Sequence, residues 1–277
     1  MQVRPVALGG YKQPQQLMAL NYLLTLGVRL DVVIELDGFN GVALPASENR
    51  SADVSHYYPR GWQWRAASVL EPVALKLIGE LSFLQARRTE LAVRCSQFVV
   101  RHSGLGNLVW RLLDRNHVAR RRALEQELEA ASRARLRFAT HGPKTPYGSE
   151  AEFYPELARI WRVGSLQMFH LCRANGIRYF HFLQPNQYFP DSKPLSAEER
   201  RLAFVPGHGY QRPVELGYPA LRAAGQTLRG LGVPFEDLSM IFAGVRETLY
   251  IDDCCHLNDS GNRLLADAIA ARVAQRW

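Results

Sequence analysis

Cysteine is scarce in this chain, and no long hydrophobic run is present. Four cysteines in 277 residues are too few for a disulfide scaffold, and their positions do not have zinc-ligand spacing. The uncharged stretch from Gln13 to Val28 is too short and too rich in amides to cross a bilayer, which takes about 20 apolar residues. The first residues lack the basic leader and apolar segment of a signal peptide. We therefore expect no membrane span, while redox compartment and localisation stay open.

The overall composition is typical of a globular protein. Hydrophobic residues make up 47% of the chain and charged residues 22%, which excludes collagen-like and disordered classes. The length favours one large domain or one domain with an insertion. The net charge is +8, and arginines concentrate between residues 87 and 137. Because arginines and glutamates are interleaved over residues 120–129, we interpret this region as solvated helix and expect no nucleic-acid partner.

Short apolar stretches alternate with helical patterns at both ends of the chain. Residues 3–8 and 31–36 are typical of strands, and they flank a helical pattern from Pro14 to Gly27. A crossover of this length cannot be a hairpin, so it predicts parallel strands. Further along, the pattern predicts a helix over 153–175, a strand over 177–183, a helix over 218–230, a short strand or its approach over 238–242, and a helix over 260–275.

This alternation predicts an α/β fold with a doubly wound parallel sheet between two helical layers, whose site lies at the carboxyl ends of the strands. The middle of the chain interrupts the pattern. It begins with prolines and aromatic residues, continues with helical stretches from about 68 to 137, and ends in the breaker-rich stretch 141–148. We therefore predict an α/β domain formed by residues 1–44 and 150–277, with a mostly helical insertion over residues 45–149.

Two loops at the predicted carboxyl edge of the sheet carry polar or flexible groups. The loop after the second strand contains Asn40, whose carboxamide could donate to an oxyanion; Asp, Gly and Asn are also ordinary turn residues there. The pair Gly9-Gly10 after the first strand could let a backbone N–H approach a ligand closely, or could form a sharp turn and nothing more. Neither pattern is specific by itself.

The strongest local feature precedes the last helix. Asp253 lies three residues before His256, and such a carboxylate can accept the Nδ1–H of the imidazole and leave Nε2 as a general base. Alternatively, the segment is a helix entry with Asn258 or Asp259 as its N-cap. A metal site that includes Cys254–Cys255 is disfavoured because adjacent side chains point apart. No cofactor or metal is predicted.

Taken together, three segments resemble the SGNH/GDSL hydrolase family in order and spacing. They are residues 7–17 (Ala-Leu-Gly-Gly-Tyr-Lys-Gln-Pro-Gln-Gln-Leu), residues 36–40 (Leu-Asp-Gly-Phe-Asn) and residues 250–262, which contain Asp-Asp-Cys-Cys-His-Leu-Asn. The resemblance implies a flavodoxin-like sheet and a serine-type esterase or acyl-transferring activity on an ester or O-acetyl group, with a small-molecule or carbohydrate ester as substrate. It assigns the oxyanion donors to Gly10 and Asn40, and the acid and base to Asp253 and His256.

The family's first block, a strand ending in a Gly-rich turn with the nucleophilic serine, has no counterpart in this sequence. That strand would lie between residues 3–8 and 31–36 in the sheet, so we expect the sequence to be N-terminally shortened and inactive as given. Ser103 in the insertion and Ser165 on a predicted helix are not expected to replace the serine. The alternative function is a non-catalytic module that binds an acylated carbohydrate or a partner protein. Its stacking surfaces would be Tyr57, Tyr58, Trp62 and Trp64.

Overall fold

The computed structural model describes residues 3–50, 54–59, 72–95, 103–133 and 148–275. The chain divides into two compact units, one formed by Met1–Arg60 and Lys144–Trp277 and the other by Gly61–Pro143. Residues 45–60 thus lie in the first unit, and the second unit is shorter than the predicted insertion 45–149. Across the described ranges, no helix combines the length and the apolarity that crossing a membrane requires.

Helices and strands alternate in the first unit, and two long helices form the described part of the second. In chain order they are α1 (Gln15–Thr25), β1 (Val32–Asp37), α2 (Phe39–Leu44), which continues into a π-helical turn (Pro45–Asn49), α3 (Pro72–Cys95), α4 (Gly104–Arg133), α5 (Glu150–Ala174), β2 (Arg178–Leu183), α6 (Ala197–Leu202), α7 (Gln211–Gly230), β3 (Phe235–Asp237) and α8 (Asp259–Ala274).

The first unit contains a three-stranded parallel sheet in the order β1-β2-β3. Successive side chains of β2 point to opposite faces of this sheet. On one face, Tyr179 and Leu183 belong to a large core together with buried residues of α5 and α7. On the other face, Phe180 and Phe182 pack in a smaller core with Leu265 of α8. The fold is therefore mixed α/β, with helices against both faces of the sheet.

Strand β1 forms one edge of the sheet within the described residues. Its residues Ile34 and Leu36 point to the face of the smaller core, yet they remain 49% and 39% exposed. Glu35 and Asp37, on the opposite face, are buried. Apolar edge strands in folded proteins are usually covered or paired. In the part of the chain that the structure describes, the sheet thus ends at β1, which has apolar side chains exposed to solvent.

The strand predicted over residues 3–8 is wrong. These residues have no regular structure, and Val3, Val6 and Leu8 are exposed. A strand depends on hydrogen bonds to a neighbour, and none of the strands that the structure describes pairs with this segment. The turn that follows does form, with Gly10 at φ 83° and the Tyr11 amide donating to the Leu8 carbonyl over 3.0 Å.

The last strand or its approach was predicted over 238–242, and β3 ends just before this segment, at Asp237. The amide of Leu238 still donates to the Leu183 carbonyl over 3.1 Å. The Ser239 amide instead donates to Asp237 Oδ1 over 2.9 Å, and the chain turns after Leu238. An Asp that bonds the amide two residues ahead favours a turn over a strand.

Helices α1, α5 and α8 and strands β1 and β2 agree with the sequence patterns to within about three residues at each end, whereas α2 and α6 were not predicted. The N-cap of α5 is Ser149, whose side chain accepts from the Glu152 amide, and the helix is followed by Gly176 at φ 69°. Helix α8 has Asn258 as its N-cap, one of the two predicted candidates. Helix α7 begins at Gln211, seven residues before the predicted start.

The second unit is a pair of helices in its described part. Helices α3 and α4 bury five apolar residues against each other: Ala74, Leu77, Leu81, Leu124 and Leu128. Arg88 and Asp114 add an ion pair at 2.6 Å. Long helices were predicted here. Trp62 and Trp64, predicted as stacking surfaces, lie outside the described residues.

Candidate functional site

The loop before α8 presents an imidazole paired with a carboxylate. His256 Nδ1 lies 2.5 Å from Asp252 Oδ2, and the His256 side chain is 65% exposed. The hydrogen bond that Nδ1 donates to the Asp252 carboxylate raises the pKa of His256, while partial burial acts in the opposite direction. With Nδ1 held by the carboxylate, Nε2 is the nitrogen left to take a proton from a substrate or nucleophile.

Asp253, the partner predicted for His256, is not the residue that contacts it. The Asp253 carboxylate lies beside His208, with Oδ2 3.7 Å from Nε2. Residues 250 and 257 form an antiparallel bridge, so the intervening chain turns back on itself. In this turn the carboxylate four residues before the imidazole, rather than three, lies next to it. Asp252 therefore takes the orienting position.

Backbone contacts brace this loop. Asp252 Oδ1 accepts from the amides of Cys254 and His256 over 3.0 and 3.3 Å. The Ile251 amide donates to the His256 carbonyl over 3.0 Å. Asn258 caps α8 by accepting from the Gly261 amide over 2.9 Å and donates to the Thr248 carbonyl over 2.6 Å. The imidazole is thus carried on a hairpin that is fixed to the start of α8.

Asn40, one predicted oxyanion donor, contacts the residue that follows Gly10, the other. Asn40, in the first turn of α2, donates through Nδ2 to the carbonyl of Tyr11 over 2.9 Å, and Tyr11 directly follows Gly10. Gly10 is buried, and its φ of 83° favours glycine over residues with a Cβ. An oxyanion at this position would compete with the Tyr11 carbonyl for the Asn40 amide.

The chain just after β2 contacts both the loop after β1 and the loop that carries His256. The Gln184 amide donates to the Asp37 carbonyl over 2.8 Å, three residues before Asn40. Asn186 donates through Nδ2 to the Cys254 carbonyl over 2.9 Å, two residues before His256. Gln184 itself directly follows β2. The Asn40 and His256 loops therefore both lie at the carboxyl edge of the sheet, where the sequence predicts a site.

A second polar cluster is buried inside the first unit. His181, at the centre of β2, places Nδ1 2.7 Å from Ser165 Oγ and Nε2 2.9 Å from Asp37 Oδ1. Burial by itself lowers the pKa of His181, but the charges of Glu35 and Asp37 together raise it above its ordinary value. These are the residue types of a serine–histidine–aspartate triad. Ser165 and His181 are fully buried, so this cluster offers no access to a substrate.

Glu35 extends the cluster. Its carboxylate accepts from Gln13 Nε2 over 2.8 Å and from the Tyr179 hydroxyl. Burial raises the pKa of Glu35 to about 7. Glu35, Asp37 and His181 carry possible metal-ligand atoms within 4.8 Å of one another. Because N–H and O–H donors already hold these oxygens, the cluster is better described as a hydrogen-bonded network than as a metal site.

Asp37 accepts further hydrogen bonds in this cluster, from Trp161 Nε1 over 2.6 Å and from Gln16 Nε2 over 3.0 Å. A cavity of about 10 Å³ next to Gln13 and Trp161 has room for roughly one water molecule. A space of that size does not admit a substrate.

Sequence reasoning did not predict this buried network. A signal was present, because Glu35 and Asp37 alternate in an otherwise apolar strand and so point to one face. Pairing of β1 with β2 then places Glu35 opposite His181. Only this pairing of the two strands brings Glu35 and His181, which are far apart in the sequence, into one cluster. Ser103, also weighed as a nucleophile, instead accepts from the Gly106 amide over 3.2 Å at the start of α4.

No known family model matches this chain, and none of the curated proteins does.

Proposed function

We propose that the protein acts on acyl esters, with His256 as general base and Asp252 as the carboxylate that orients it. The observation that carries this proposal is the 2.5 Å contact between His256 Nδ1 and Asp252 Oδ2 in a braced and exposed loop. A histidine with Nδ1 held by a carboxylate and Nε2 available is the proton-transfer part of a serine-hydrolase triad. The resemblance to SGNH/GDSL hydrolases supports the same assignment.

In this proposal, the Gly10 N–H and the Asn40 carboxamide stabilise the oxyanion of the tetrahedral intermediate. Their proximity through the Tyr11 carbonyl supports the pairing. Each well-placed donor contributes about 10²–10³ in rate to acyl transfer. Asn40 would exchange its hydrogen bond to Tyr11 for one to the oxyanion, which costs less than orienting a mobile donor.

The attacking hydroxyl is proposed to come from a strand that pairs with the outer edge of β1. Among the described residues, no serine hydroxyl is shown bonded to His256. Among the described residues β1 pairs with β2 alone, and this open edge supports a missing strand neighbour. A turn at the carboxyl end of such a strand would lie beside the loop that carries Asn40.

The test is an assay of p-nitrophenyl acetate hydrolysis. It compares the 277-residue chain with a version extended by the in-frame codons upstream of Met1. We expect the extended protein to hydrolyse the ester and the 277-residue chain not to do so. His256→Ala in the extended protein should lower kcat by about 10²–10⁴-fold. An extended protein that hydrolyses the ester equally fast with this substitution contradicts the proposal.

Two neighbouring carboxylates permit a sharper comparison. Asp252→Asn in the extended protein should lower kcat strongly, since it removes the partner of Nδ1. Asp253→Asn should change kcat much less, because that carboxylate lies beside His208. Strong loss in Asp253→Asn with little loss in Asp252→Asn would favour the assignment made from sequence spacing.

A second candidate function is a non-catalytic module that binds an acylated carbohydrate. The half-exposed ring of Tyr57, whose hydroxyl donates to Glu156 over 3.0 Å, favours it as a fixed stacking surface. Upstream codons without a Gly-rich serine turn would favour binding, and codons with such a turn would favour hydrolysis. Under the binding function, Tyr57→Ala weakens retention on an acetylated-polysaccharide column and His256→Ala does not.

A further inference from the structure

Cys254 and Cys255 bring their sulfur atoms together although the residues are adjacent in sequence. The two Sγ atoms lie 3.6 Å apart. In an extended chain, successive side chains point to opposite sides. Here the turn between Tyr250 and Leu257 places both thiols on one side, which corrects the expectation that they point apart.

The surroundings of Cys255 lower the pKa of its thiol, unlike those of the core cysteine Cys172. Cys255 Sγ lies 3.6 Å from Cys254 Sγ, and His256 directly follows Cys255 in the chain. The hydrogen bond from Cys254 and the nearby imidazole lower the pKa of Cys255, against the effect of burial. Burial raises the pKa of Cys172, in the core, to about 11. The Cys255 thiol is therefore a better nucleophile than the Cys172 thiol.

We propose that Cys254 and Cys255 are a redox modification site, which a hydroperoxide converts to a disulfide between the adjacent residues. The Cys255 thiolate attacks the hydroxyl-bearing oxygen of the hydroperoxide, the S–O bond forms as the O–O bond breaks, and the leaving alkoxide takes a proton to become an alcohol. Cys255 is then a sulfenic acid. Cys254 sulfur attacks the sulfenic sulfur, the S–S bond forms, and hydroxide leaves as water with the Cys254 proton. Two thiols are oxidised, and one hydroperoxide is reduced to alcohol and water.

Covalent geometry makes this disulfide easy to reduce. Adjacent Cα atoms are about 3.8 Å apart across a trans peptide and about 2.9 Å apart across a cis one. Ordinary disulfides join Cα atoms about 4.4–6.8 Å apart. A disulfide between neighbours is thus strained, and strained disulfides belong to the labile and regulatory class. Oxidation of these thiols requires neither a nucleophilic serine nor an ester, so it is independent of the proposed ester chemistry.

The experiment treats the reduced full chain with equimolar hydrogen peroxide, alkylates the remaining thiols with iodoacetamide and analyses tryptic peptides by mass spectrometry. Cleavage after Arg246 and Arg263 releases residues 247–263, which contain both thiols and no other cysteine. We expect this peptide to lose two hydrogen atoms and to take up no alkyl group. Dithiothreitol should restore two alkylatable thiols. Cys172 serves as the internal reference and should remain alkylated once the protein is denatured.

Two variants separate the roles of the thiols. Cys254→Ser should stop at the sulfenic acid of Cys255, which dimedone traps. Cys255→Ser should react with peroxide at least severalfold more slowly, since the activated thiol is lost. The proposal is overturned if the wild-type peptide carries two alkyl groups after oxidation, if Cys255 proceeds directly to sulfinic acid, or if the cysteines form disulfides between chains. The wild-type measurement decides the question even if a variant does not fold.

Discussion

The carboxylates of Glu35 and Asp37 fix the register of the sheet as well as filling its interior. Each accepts hydrogen bonds from buried donors, Tyr179 for the first and Trp161 for the second. A slip of β1 by one residue would turn both carboxylates to the opposite face and leave those donors unpaired. An unsatisfied buried group costs about 1–3 kcal/mol. The pairing of Glu35 with His181 is thereby favoured over shifted alternatives.

Glu35 gives this network a predictable pH dependence. Burial raises the pKa of Glu35 to about 7 from its ordinary value of 4.5. Between these pH values the folded protein holds a proton that the unfolded chain has released. Stability therefore falls as pH rises through this window, by about 3 kcal/mol for a shift of this size. We expect Glu35→Gln, which remains neutral, to lack this loss.

Urea unfolding of both proteins at pH 4.5, 5.5, 6.5 and 8 measures the effect. The free energy of unfolding of Glu35→Gln, relative to wild type, should increase steadily with pH. Glu236→Gln is the matched control, because this partly exposed glutamate lies on β3. Profiles of wild type and Glu35→Gln that stay parallel would show that Glu35 titrates alike in the folded and unfolded chains.

At the scale of elements, α8 and the His256 loop share one anchoring residue. Asn258 accepts from the Gly261 amide and donates to the Thr248 carbonyl. Replacing an N-cap Asn by Ala costs about 0.5–2 kcal/mol. We expect Asn258→Ala to lower the free energy of unfolding by about that amount. Asn258→Asp keeps the acceptor and should recover most of it. Thermal unfolding followed by circular dichroism tests both; equal loss in the two variants would assign the effect to the Thr248 contact.

In the described part of the chain β1 is an edge strand with exposed apolar side chains, so we expect the protein to self-associate. An unpaired apolar strand edge is a template for pairing with another chain, and Ile34 is the most exposed apolar residue of β1. We expect wild-type protein to form larger species as its concentration rises, and Ile34→Lys to reduce them while changing stability by less than about 0.5 kcal/mol. Sedimentation velocity measures this. Met18→Lys, on an exposed position of α1, is the control, and an equal reduction there would count against the edge.

At the scale of the whole molecule, local patterns predicted those elements whose formation depends on nearby residues. The apolar runs of β1 and β2 and the cap at Asn258 are examples. The strand over residues 3–8 was wrong because an apolar run becomes a strand only beside a partner. Similarly, Asp253 and Asp252 cannot be told apart by spacing, because the turn of the backbone decides which carboxylate reaches the imidazole. The His181 network depends on long-range register, which no single segment encodes.

Charge is distributed unequally between the two units. Residues 61–143 contain 14 of the 34 basic residues and 7 of the 26 acidic ones, which accounts for +7 of the net charge of +8. The described core of this unit has only five buried apolar residues, far fewer than that of the first unit. Like charges repel one another and destabilise a compact state. The second unit is therefore expected to be the less stable part of the molecule.

Hydrogen exchange with peptide-level mass spectrometry tests this expectation. Backbone amides of α3 and α4 should exchange before those of β2 and α5 at neutral pH and low salt, because opening the small core exposes them without unfolding the sheet. Raising the salt concentration to about 1 M shortens the Debye length to about 3 Å and screens the repulsion. Exchange in α3 and α4 should then slow, while β2, in the nearly neutral first unit, should change little. Simultaneous exchange of both units, with the same response to salt, would mean that they unfold as one cooperative body.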